Sequence, residues 1–490
     1  MVTLLSLSSS VWGHIVIPYE DQPLSKINIL KTQLDLQGTA TISAQPLHLY
    51  QKGRVEAELE AEWVTVTVKN SKPSNDDWVG VFSPGKFDSS SCPPKGPEDK
   101  ELESPYICSA PIKFQYANHS SKNYVKSGEA KLKFLLINMR SDFSFALFSG
   151  GFSAPKLVSI SDVLSVFANP KAPLYPRLAI GKSWDIMTVT WTSGYNIDEA
   201  VPFVEWGLKG ETQQRSPAGY LSEWDQFIAQ VSPIASAVPY MVASGNHERD
   251  WPNSGSFWDT TDSGGECGVP AETLYYVPAD NRAKFWYSAD YGMFKFCVAD
   301  SEHDWRAGSE QYAWIEKCLA SADRRKQPWL IFIAHRVLGY SSNYWYGQEG
   351  SFSEPEGRED LQKLWQKYKV DIAFFGHVHN YERICPIYQN QCVNDEKSHF
   401  SGVVNGTIHV VTGGGGKSLA KFSSLSPVWS VYRDYDWGFV KLTAFNHSSL
   451  LFEYKKSRDG EVYDSFTVYR EYKDVLACVH DSCEPTTLAN

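Results

Sequence analysis

From Tyr220 onward, short apolar runs alternate along the chain with segments of helical periodicity. Apolar runs of about four to eight residues indicate buried strands, whereas apolar residues spaced i, i+3, i+4, i+7 indicate amphipathic helices. The alternation predicts an α/β sheet covered on both faces. The apolar runs are VPYMVAS, FKFCVAD, PWLIFIA, VDIAFF and TIHVVT, and the helical segments include Ser309–Ala322 and Gly357–Tyr368.

Two of the helical segments carry a clear apolar face. In YLSEWDQFIAQVSPIAS, Ser222 and Asp225 have the spacing of a capping box, which predicts a helix that begins near Ser222. Such faces bury a helix against a sheet. The predicted faces comprise Trp224, Phe227, Ile228 and Val231 in this segment, and Leu361, Leu364, Trp365 and Tyr368 in Gly357–Tyr368.

The part of the chain before Tyr220 has the pattern of β structure. In AEWVTVTVKN, Val64, Val66 and Val68 alternate with polar residues, and clusters of Gly, Pro and Ser separate such segments. A Pro-rich hinge, NPKAPLYPRLA, precedes a second strand pattern that is too short for a sandwich of about 100 residues. The expected domains are a β-sandwich-like module over 1–170, a truncated β module over 171–219 and an α/β domain over 220–490.

Three of the predicted strands end in polar residues that suit metal ions. Asn246 and His247 follow YMVAS, His335 follows LIFIA, and His377 and His379 follow IAFF. Ligands of open α/β sheets bind beyond the carboxyl ends of the strands, so we expect these side chains to converge. Imidazole and amide donors without clustered thiols favour zinc, iron or manganese. A single histidine there could be a hydrogen-bonded structural residue, but three such strand ends in order favour a metal site.

The charge of the chain limits its partners. The 490 residues carry a formal net charge of −11 at pH 7, which argues against a nucleic-acid groove because phosphate backbones are bound through excess Lys and Arg. A phosphate ester is compatible with an acidic chain if metal ions supply the positive charge. No apolar run reaches the length of a membrane span.

Cysteines and glycosylation triplets favour a secreted or vacuolar protein. The chain has nine cysteines, and several close pairs fit oxidising conditions, while the odd number leaves one thiol without a partner in the chain. Three Asn-X-Ser/Thr triplets are candidate glycosylation sites. The pairs are Cys92/Cys108, Cys385/Cys392 and Cys478/Cys483, and the acceptors are Asn118, Asn405 and Asn446.

The ordered motifs resemble those of a known family. GNHE, an isolated His after an apolar strand and GHVHNYER are similar to the motifs of plant-type purple acid phosphatases, members of the metallophosphoesterase superfamily. The likeness extends over nearly the whole chain, including PRLAIGKSWDIMTVTWTSGY and DYDWGFVKLTAFNHSSLLFEYKKSRDGEVYDSF. It implies β-sandwich modules, the second of them fibronectin III-like, followed by an αββα-type metallophosphoesterase domain.

The resemblance also implies a site and an activity. Asn246, His335 and His377 would bind a divalent ion of zinc, manganese or iron, and His379 would bind a ferric ion. Catalytic His247 would stabilise or protonate the leaving oxygen. An acid phosphatase of this type hydrolyses phosphate esters by in-line attack of a metal-bound hydroxide held between two ions. A homodimer, known in related plant enzymes, is implied as well.

Two of the family's metal motifs are absent from the sequence. The family has a GDxG strand end and a GDxxY motif before GNHE, but this chain contains no Gly-Asp dipeptide. Gly219 meets Tyr220 directly, as if an internal segment had been removed, so the catalytic domain would be incomplete at its start and the ferric site would not form. Asp262, Asp290 and Asp436 have DxG spacing but follow GNHE, so we do not expect them to replace the lost carboxylates.

Two further departures bear on function. Asn343, Tyr344 and Trp345 stand where some family members have a His pair, which adds phosphodiester and pyrophosphate bonds to monoesters as candidate substrates. TGGGGKS, Thr412–Ser418, lacks the phosphate-loop spacing and predicts a tight turn after a strand. We expect a phosphoesterase by family; the alternative is a catalytically impaired splice or gene-model variant that binds at most one metal ion.

Overall fold

A computed structural model gives the fold of this chain. By contact between their residues, Ile15–Arg177 and Trp191–Ala237 form one unit, named here the β unit. Met1–His14, Leu178–Thr190 and Val238–Asn490 form the other, named the α/β unit. The structure describes residues 2–4, 32–33, 38–46, 61–87, 106–107, 111–152, 154–167, 169–183, 185–195, 199, 222–343, 356–402, 404–415 and 418–471.

Strands outnumber helices in the described residues. The helices are α1 (Tyr124–Ser127), α2 (Ser222–Ala235), α3 (Asn246–Arg249), α4 (Val269–Leu274), α5 (Glu310–Ala320) and α6 (Glu356–Lys367). None of these helices is long and apolar enough to cross a membrane. The strands are β1 (Val2–Leu4), β2 (Thr32–Gln33), β3 (Ala40–Pro46), β4 (Ala61–Asn70), β5 (Trp78–Phe82), β6 (Tyr106–Ile107), β7 (Lys113–Tyr116), β8 (Glu129–Ile137), β9 (Ser144–Ser149), β10 (Lys156–Ile160), β11 (Leu174–Ile180), β12 (Met187–Thr192), β13 (Tyr287–Tyr291), β14 (Phe294–Val298), β15 (Trp329–Ala334), β16 (Ile372–Phe375), β17 (Tyr381–Tyr388), β18 (Gln391–Cys392), β19 (His399–Ser401), β20 (Thr407–Thr412), β21 (Ser430–Asp434), β22 (Gly438–Ala444), β23 (Ser449–Lys456) and β24 (Val462–Tyr469).

The β unit is a sandwich of two antiparallel sheets. Their strand orders are β3-β4-β8 and β10-β9-β5-β7. Val64, Val66 and Val68 of β4 are fully buried and pack in one core with residues of β5, β8 and β9. Trp78 of β5 lies in a second cluster, where its ring stacks on Phe148 with 4.3 Å between ring centroids. The alternation predicted for AEWVTVTVKN, and the β-sandwich itself, are confirmed.

The α/β unit is built on a mixed sheet. Its strand order is β13-β14-β15-β16-β20-β17-β18, with β21 also paired to β17. β14, β15, β16 and β20 are mutually parallel, and β13 and β17 flank them in the antiparallel sense. A second sheet has the order β1-β22-β23-β24-β19. Four of the five predicted apolar runs are therefore strands of the central sheet.

Alternate residues of the central strands face different layers. Phe332 of β15 contacts Trp365 of α6 with ring centroids 5.2 Å apart, whereas Phe374 of β16 stacks on Phe452 of the second sheet at 6.2 Å. Helices α5 and α6 both bury residues in the same core, among them Leu361 and Leu364 of the predicted apolar face of α6. Helices thus cover one face of the central sheet and a second sheet covers the other, as the sandwich prediction requires.

The predicted strand VPYMVAS is wrong. Residues 240–245 form no strand in the described structure, and pairing in this region is limited to a bridge between Leu178 and Pro239 and a hydrogen bond from Tyr240 N to Leu178 O. A strand needs a neighbouring backbone along its length. The free edge beside β14 is taken by the antiparallel strand β13, so this apolar run has no place in the central sheet.

The helix predicted to begin near Ser222 forms as α2. The buried carboxylate of Asp225, one half of the predicted capping box, pairs with Arg140. The side chain of Ser222 lies outside the described residues. Ile228 and Val231 are buried as predicted, whereas Phe227 is 40% exposed.

Two disulfides tie the α/β unit. The predicted pair Cys385–Cys392 is confirmed. Cys297 of β14 is bonded to Cys318 of α5, a pair that the sequence did not indicate because 21 residues and a change of element separate them. Cys267 is a free thiol. The other predicted partners, Cys92, Cys108, Cys478 and Cys483, lie outside the described residues.

Because His409 of β20 is buried, the free energy of unfolding is expected to depend on pH. Tyr340 N donates to its Nδ1 at 3.3 Å, and burial, reinforced by Arg358, lowers the pKa of His409 from 6.5 to about 3. Between pH 6.5 and about 3, His409 is therefore protonated in the unfolded chain and neutral in the folded chain. The free energy of unfolding consequently decreases as the pH falls through this range. His409→Gln should remove this part of the slope, up to about 1.4 kcal/mol per pH unit, in urea-unfolding midpoints measured between pH 6.5 and 4.5.

The matched control for this prediction is His399→Gln, at an exposed position. An unchanged pH slope in His409→Gln, with the control equal to the unsubstituted chain, would show that His409 is not the group that titrates.

Candidate metal centre

Parallel pairing brings His335 and His377 to the same edge of the central sheet. β15 and β16 are neighbours, with Ala334 opposite Phe375, so the residues that follow the two strands leave the sheet side by side. Asn246 reaches this edge as the first residue of α3. The structure thus brings together three of the predicted ligands, although as many as 131 residues separate them in the sequence.

The donor atoms of these residues form a small triangle. Asn246 Oδ1 lies 2.9 Å from His335 Nε2 and 3.2 Å from His377 Nδ1, and the two nitrogens are 3.2 Å apart. An ion with bonds of about 2.1 Å separates neighbouring ligand atoms by about 3.0 Å in octahedral and about 3.4 Å in tetrahedral geometry. The triangle therefore fits three ligands of one zinc, manganese or ferrous ion.

Backbone geometry makes this close approach possible. A Cβ on Gly245 would stand 2.8 Å from the ring of His335, so only glycine allows the start of α3 to come this near. His377 has φ 59°, a left-handed conformation that is unfavourable for a residue with a side chain. Strain of this kind is typical of functional sites and turns Nδ1 of His377 toward Asn246.

Burial keeps both triad histidines neutral. The pKa of His335 lies well below its ordinary value and that of His377 falls to about 3; burial is the main cause in both, and Arg336 adds to it. A metal ion binds the neutral imidazole through its nitrogen lone pair. Protons therefore compete weakly for the triad even in mildly acidic solution.

His247 lies beside the triad at an exposed position. Its Nδ1 is 3.2 Å from the backbone carbonyl oxygen of Asp262. A carbonyl only accepts hydrogen bonds, so Nδ1 carries a proton and Nε2 is the nitrogen left for other partners. The predicted catalytic residue is thus placed next to the donor triangle, with its ring orientation set by the Asp262 backbone.

His379 is placed differently from the other histidines. Its Nδ1 lies 2.8 Å from the carbonyl oxygen of Ser418, which again leaves Nε2 to face other groups. Within the described ranges, no three His, Cys, Asp or Glu side chains are grouped so as to hold a metal ion. The described residues therefore fit one divalent ion through an amide and two imidazoles.

Asp262 contacts a predicted ligand, a role that the sequence did not indicate. Its Oδ2 accepts a hydrogen bond from Asn246 Nδ2 at 2.7 Å and lies 3.9 Å from Arg336. Burial would raise the pKa of Asp262, but hydrogen bonds from Asn246 and Thr260 outweigh it and the pKa lies below its ordinary range. Motif order in the chain could not reveal this contact, because it depends on how the loop after α3 folds back.

A network of buried charged residues lies next to His335, at the edge of the central sheet that carries the donor triangle. Arg336, the neighbour of His335, binds Glu302 through Nε at 2.9 Å and Asp250 through NH2 at 3.2 Å, and both carboxylates are fully buried. Burial raises the pKa of Glu302, and Arg336 opposes that rise. The sequence offered one overlooked signal: Asp300 and Glu302 follow β14 as His335 follows β15.

The loop that the sequence marked for substrate choice is anchored by Glu382. The buried carboxylate accepts hydrogen bonds from Ser341 Oγ at 2.7 Å and from Ser342 N at 2.9 Å. Asn343 follows directly, while Tyr344 and Trp345 lie outside the described residues. A residue of the GHVHNYER motif thus fixes the base of the loop that replaces the family's His pair.

The described part of the glycine-rich segment packs closely after β20, in keeping with the predicted flexible or tightly packed turn. Gly413 and Gly414 follow β20 without forming a helix, and a Cβ on Gly413 would stand 2.1 Å from Val378 O. Gly416 and Lys417 lie outside the described residues. The glycines serve close backbone packing beside the metal edge, and no helix follows them as a phosphate loop would require.

Fold and site together define a calcineurin-like metallophosphoesterase unit that accompanies an Fn3-like β-sandwich. Three family descriptions match the chain: "Fn3-like domain from Purple Acid Phosphatase" over residues 50–169, "Calcineurin-like phosphoesterase" over 207–381 and "Iron/zinc purple acid phosphatase-like protein C" over 406–465. The chain belongs to the purple acid phosphatase family.

Similar proteins cover nearly all of the chain. "Probable inactive purple acid phosphatase 27" of Arabidopsis thaliana is 56% identical over 596 aligned residues, 96% of each chain. A "Nucleotide pyrophosphatase/phosphodiesterase" of Hordeum vulgare is 72% identical over 272 residues, 56% of this chain and 74% of that protein. The solved structure of purple acid phosphatase PPD1 from yellow lupin (Lupinus luteus) seeds is 50% identical, with a TM-score of 0.82, and the match covers 92% of this chain and all of that one.

Proposed function

We propose that this chain binds one divalent ion through Asn246, His335 and His377 and holds a phosphate ester against it. The triangle of donor atoms, 2.9 to 3.2 Å on a side, carries the proposal. The ion, when bound, supplies a Lewis acid for a phosphoryl oxygen. His247, whose Nδ1 donates to the Asp262 carbonyl, offers Nε2 to the ester or to its leaving oxygen.

The same proposal includes slow hydrolysis. The motifs that hold a second ion are missing from the sequence, so the ferric ion expected at His379 has no place in it. A second ion contributes several kcal/mol of charge stabilisation in the transition state, so its loss slows hydrolysis by about a thousandfold. Three Arabidopsis relatives named "probable inactive" support a weak activity.

The proposed substrates are nucleotide pyrophosphates and phosphodiesters. The barley relative named for that activity shares 72% of its aligned residues with this chain. Asn343 also stands where some family members have a His pair. Phosphate monoesters, the substrates of an acid phosphatase, are the alternative class, and a parallel assay of both classes distinguishes them.

An internal deletion at Gly219–Tyr220 is part of the proposal. The alignment with the Arabidopsis relative extends over 596 residues, more than the 490 of this chain, so the relative contains residues that have no counterpart here. The absence of both Gly-Asp motifs supports a gap before GNHE. The domain limits 1–170, 171–219 and 220–490 remain predictions.

We also propose that the protein is secreted, with the vacuole as the alternative. Two disulfides in the α/β unit support oxidising surroundings. Asn405 and Asn446 are exposed and Asn118 is half-buried, so sugar could reach at least the first two. A homodimer is the expected assembly, to be tested by the mass of the protein in solution.

Metal analysis of the purified full chain tests the function. We expect one zinc or manganese ion per chain, no visible charge-transfer band, and slow release of product from UDP-glucose or from a bis-nitrophenyl phosphate. The yellow lupin purple acid phosphatase, measured in the same way, is the reference for metal content, rate and colour.

Three results separate the hypotheses. Two ions per chain, with one lost on His379→Ala, would overturn the one-ion proposal. No ion at all would remove the basis for substrate binding. A nitrophenyl monoester cleaved faster than the diester would replace the proposed substrate class with the acid phosphatase class.

A further inference from the structure

The side-chain amide of Asn246 has to be oriented before it can serve a metal ion. An amide presents oxygen on one side and nitrogen on the other, and the two are nearly equal in size, so hydrogen-bond partners decide which one faces the site. Asn246 Oδ1 faces His335 and His377, while Nδ2 faces Asp262 Oδ2 at 2.7 Å. A carboxylate accepts and never donates, so it selects the NH2 group.

The carboxylate is itself held in place by its surroundings. The backbone next to it is fixed by a hydrogen bond from Ser263 N to Asp250 O at 3.0 Å. The backbone carbonyl of Asp262 accepts from His247 Nδ1 at 3.2 Å. Arg336 lies 3.9 Å from the carboxylate, whose side chain is 36% exposed. One residue thus contacts both the amide ligand and the proposed catalytic histidine.

We infer that Asp262 is the positioning residue of the metal site, which turns the amide oxygen of Asn246 toward a divalent cation. The inference rests on the proposed function. Partners that orient metal ligands typically contribute about 10- to 100-fold in metal affinity. Asp262 would do so without touching the ion, since its carboxylate is occupied by the Asn246 NH2 group.

A double-mutant cycle read out by Zn²⁺ titration calorimetry tests this inference. Asp262→Ala should weaken Zn²⁺ binding about 10- to 100-fold, because the amide loses its orientation. In an Asn246→Asp background both side-chain atoms are oxygens and need no orientation, and the new carboxylate is repelled by Asp262 at hydrogen-bond distance, so adding Asp262→Ala should not weaken Zn²⁺ binding. Asp280→Ala, at a side chain that is 97% exposed, is the matched loss of charge.

The outcomes are distinguishable. No Zn²⁺ binding by the unsubstituted chain removes the proposed function itself. If the unsubstituted chain binds Zn²⁺ and the Asp262→Ala variant binds it with an affinity within twofold, only the role of Asp262 is removed. An equal loss in both backgrounds would assign Asp262 a general electrostatic effect and overturn the positioning role. Thermal unfolding of each metal-free variant shows whether the fold is intact.

Discussion

Replacing His335 with alanine is expected to weaken Zn²⁺ binding by more than about a hundredfold, since structural zinc sites bind by about 10 to 16 kcal/mol shared among four ligands. Nε2 of His335 contacts both other donor atoms of the triangle, so its loss leaves Asn246 and His377 without their common neighbour. Two remaining ligands from loops cannot hold the ion against water. Titration calorimetry on the full chain measures the change.

The control for this prediction is His399→Ala, which removes an exposed imidazole outside the site. His335 is buried among Gly245 and Gly376, so the alanine variant also needs a check of its fold by circular dichroism. A folded His335→Ala variant that binds Zn²⁺ within threefold of the unsubstituted chain would contradict the assignment of this edge as a metal site.

Arg336→Met is expected to lower the free energy of unfolding by about 3 to 5 kcal/mol, because it leaves buried carboxylates without a cation to pair with. Glu302 and Asp250 are both fully buried and pair with the one guanidinium. Burial already raises the pKa of Glu302, and without Arg336 that pKa rises further. The deficit should therefore shrink as pH is lowered toward the unfolded value of 4.5, since a protonated carboxyl needs no partner.

Urea unfolding at pH 8 and pH 5 measures both the loss and its pH dependence. Arg325→Met is the matched control, because Arg325 is 75% exposed and a solvent-exposed ion pair such as that with Asp323 contributes little to stability. If the two substitutions cost the same, or if the Arg336→Met deficit grows at low pH, the buried network does not stabilise the fold in the way described.

Local patterns in the sequence predicted much of this site. The apolar runs before His335 and His377 clearly predict buried strands. Parallel pairing of these strands then places the two histidines side by side. Asn246 was found through its motif even though the strand predicted before it does not exist. Asn246 is the first residue of the short helix α3, and the turn at Gly245 is enough to place it at the site without a preceding strand.

Contacts between segments that are distant in the chain were not predicted from the sequence. Asp262 was considered only as a replacement for the lost carboxylates. Its hydrogen bond to Asn246 at 2.7 Å was not predicted, because it depends on how the loop after α3 folds back. Cys297 and Cys318 were not paired, since one lies in a strand and the other in a helix. Both contacts depend on tertiary packing, on which residue spacing carries no information.

The position of β20 in the central sheet has a consequence for the order of synthesis. The loop that carries His377 joins β16 to β17, and both strands pair with β20, which follows them in the chain. β17 also pairs with β21, which is later still. On the ribosome β15 and β16, which bring His335 and His377 together, can therefore pair early, whereas β17 gains its partners β20 and β21 only after Thr412 has emerged.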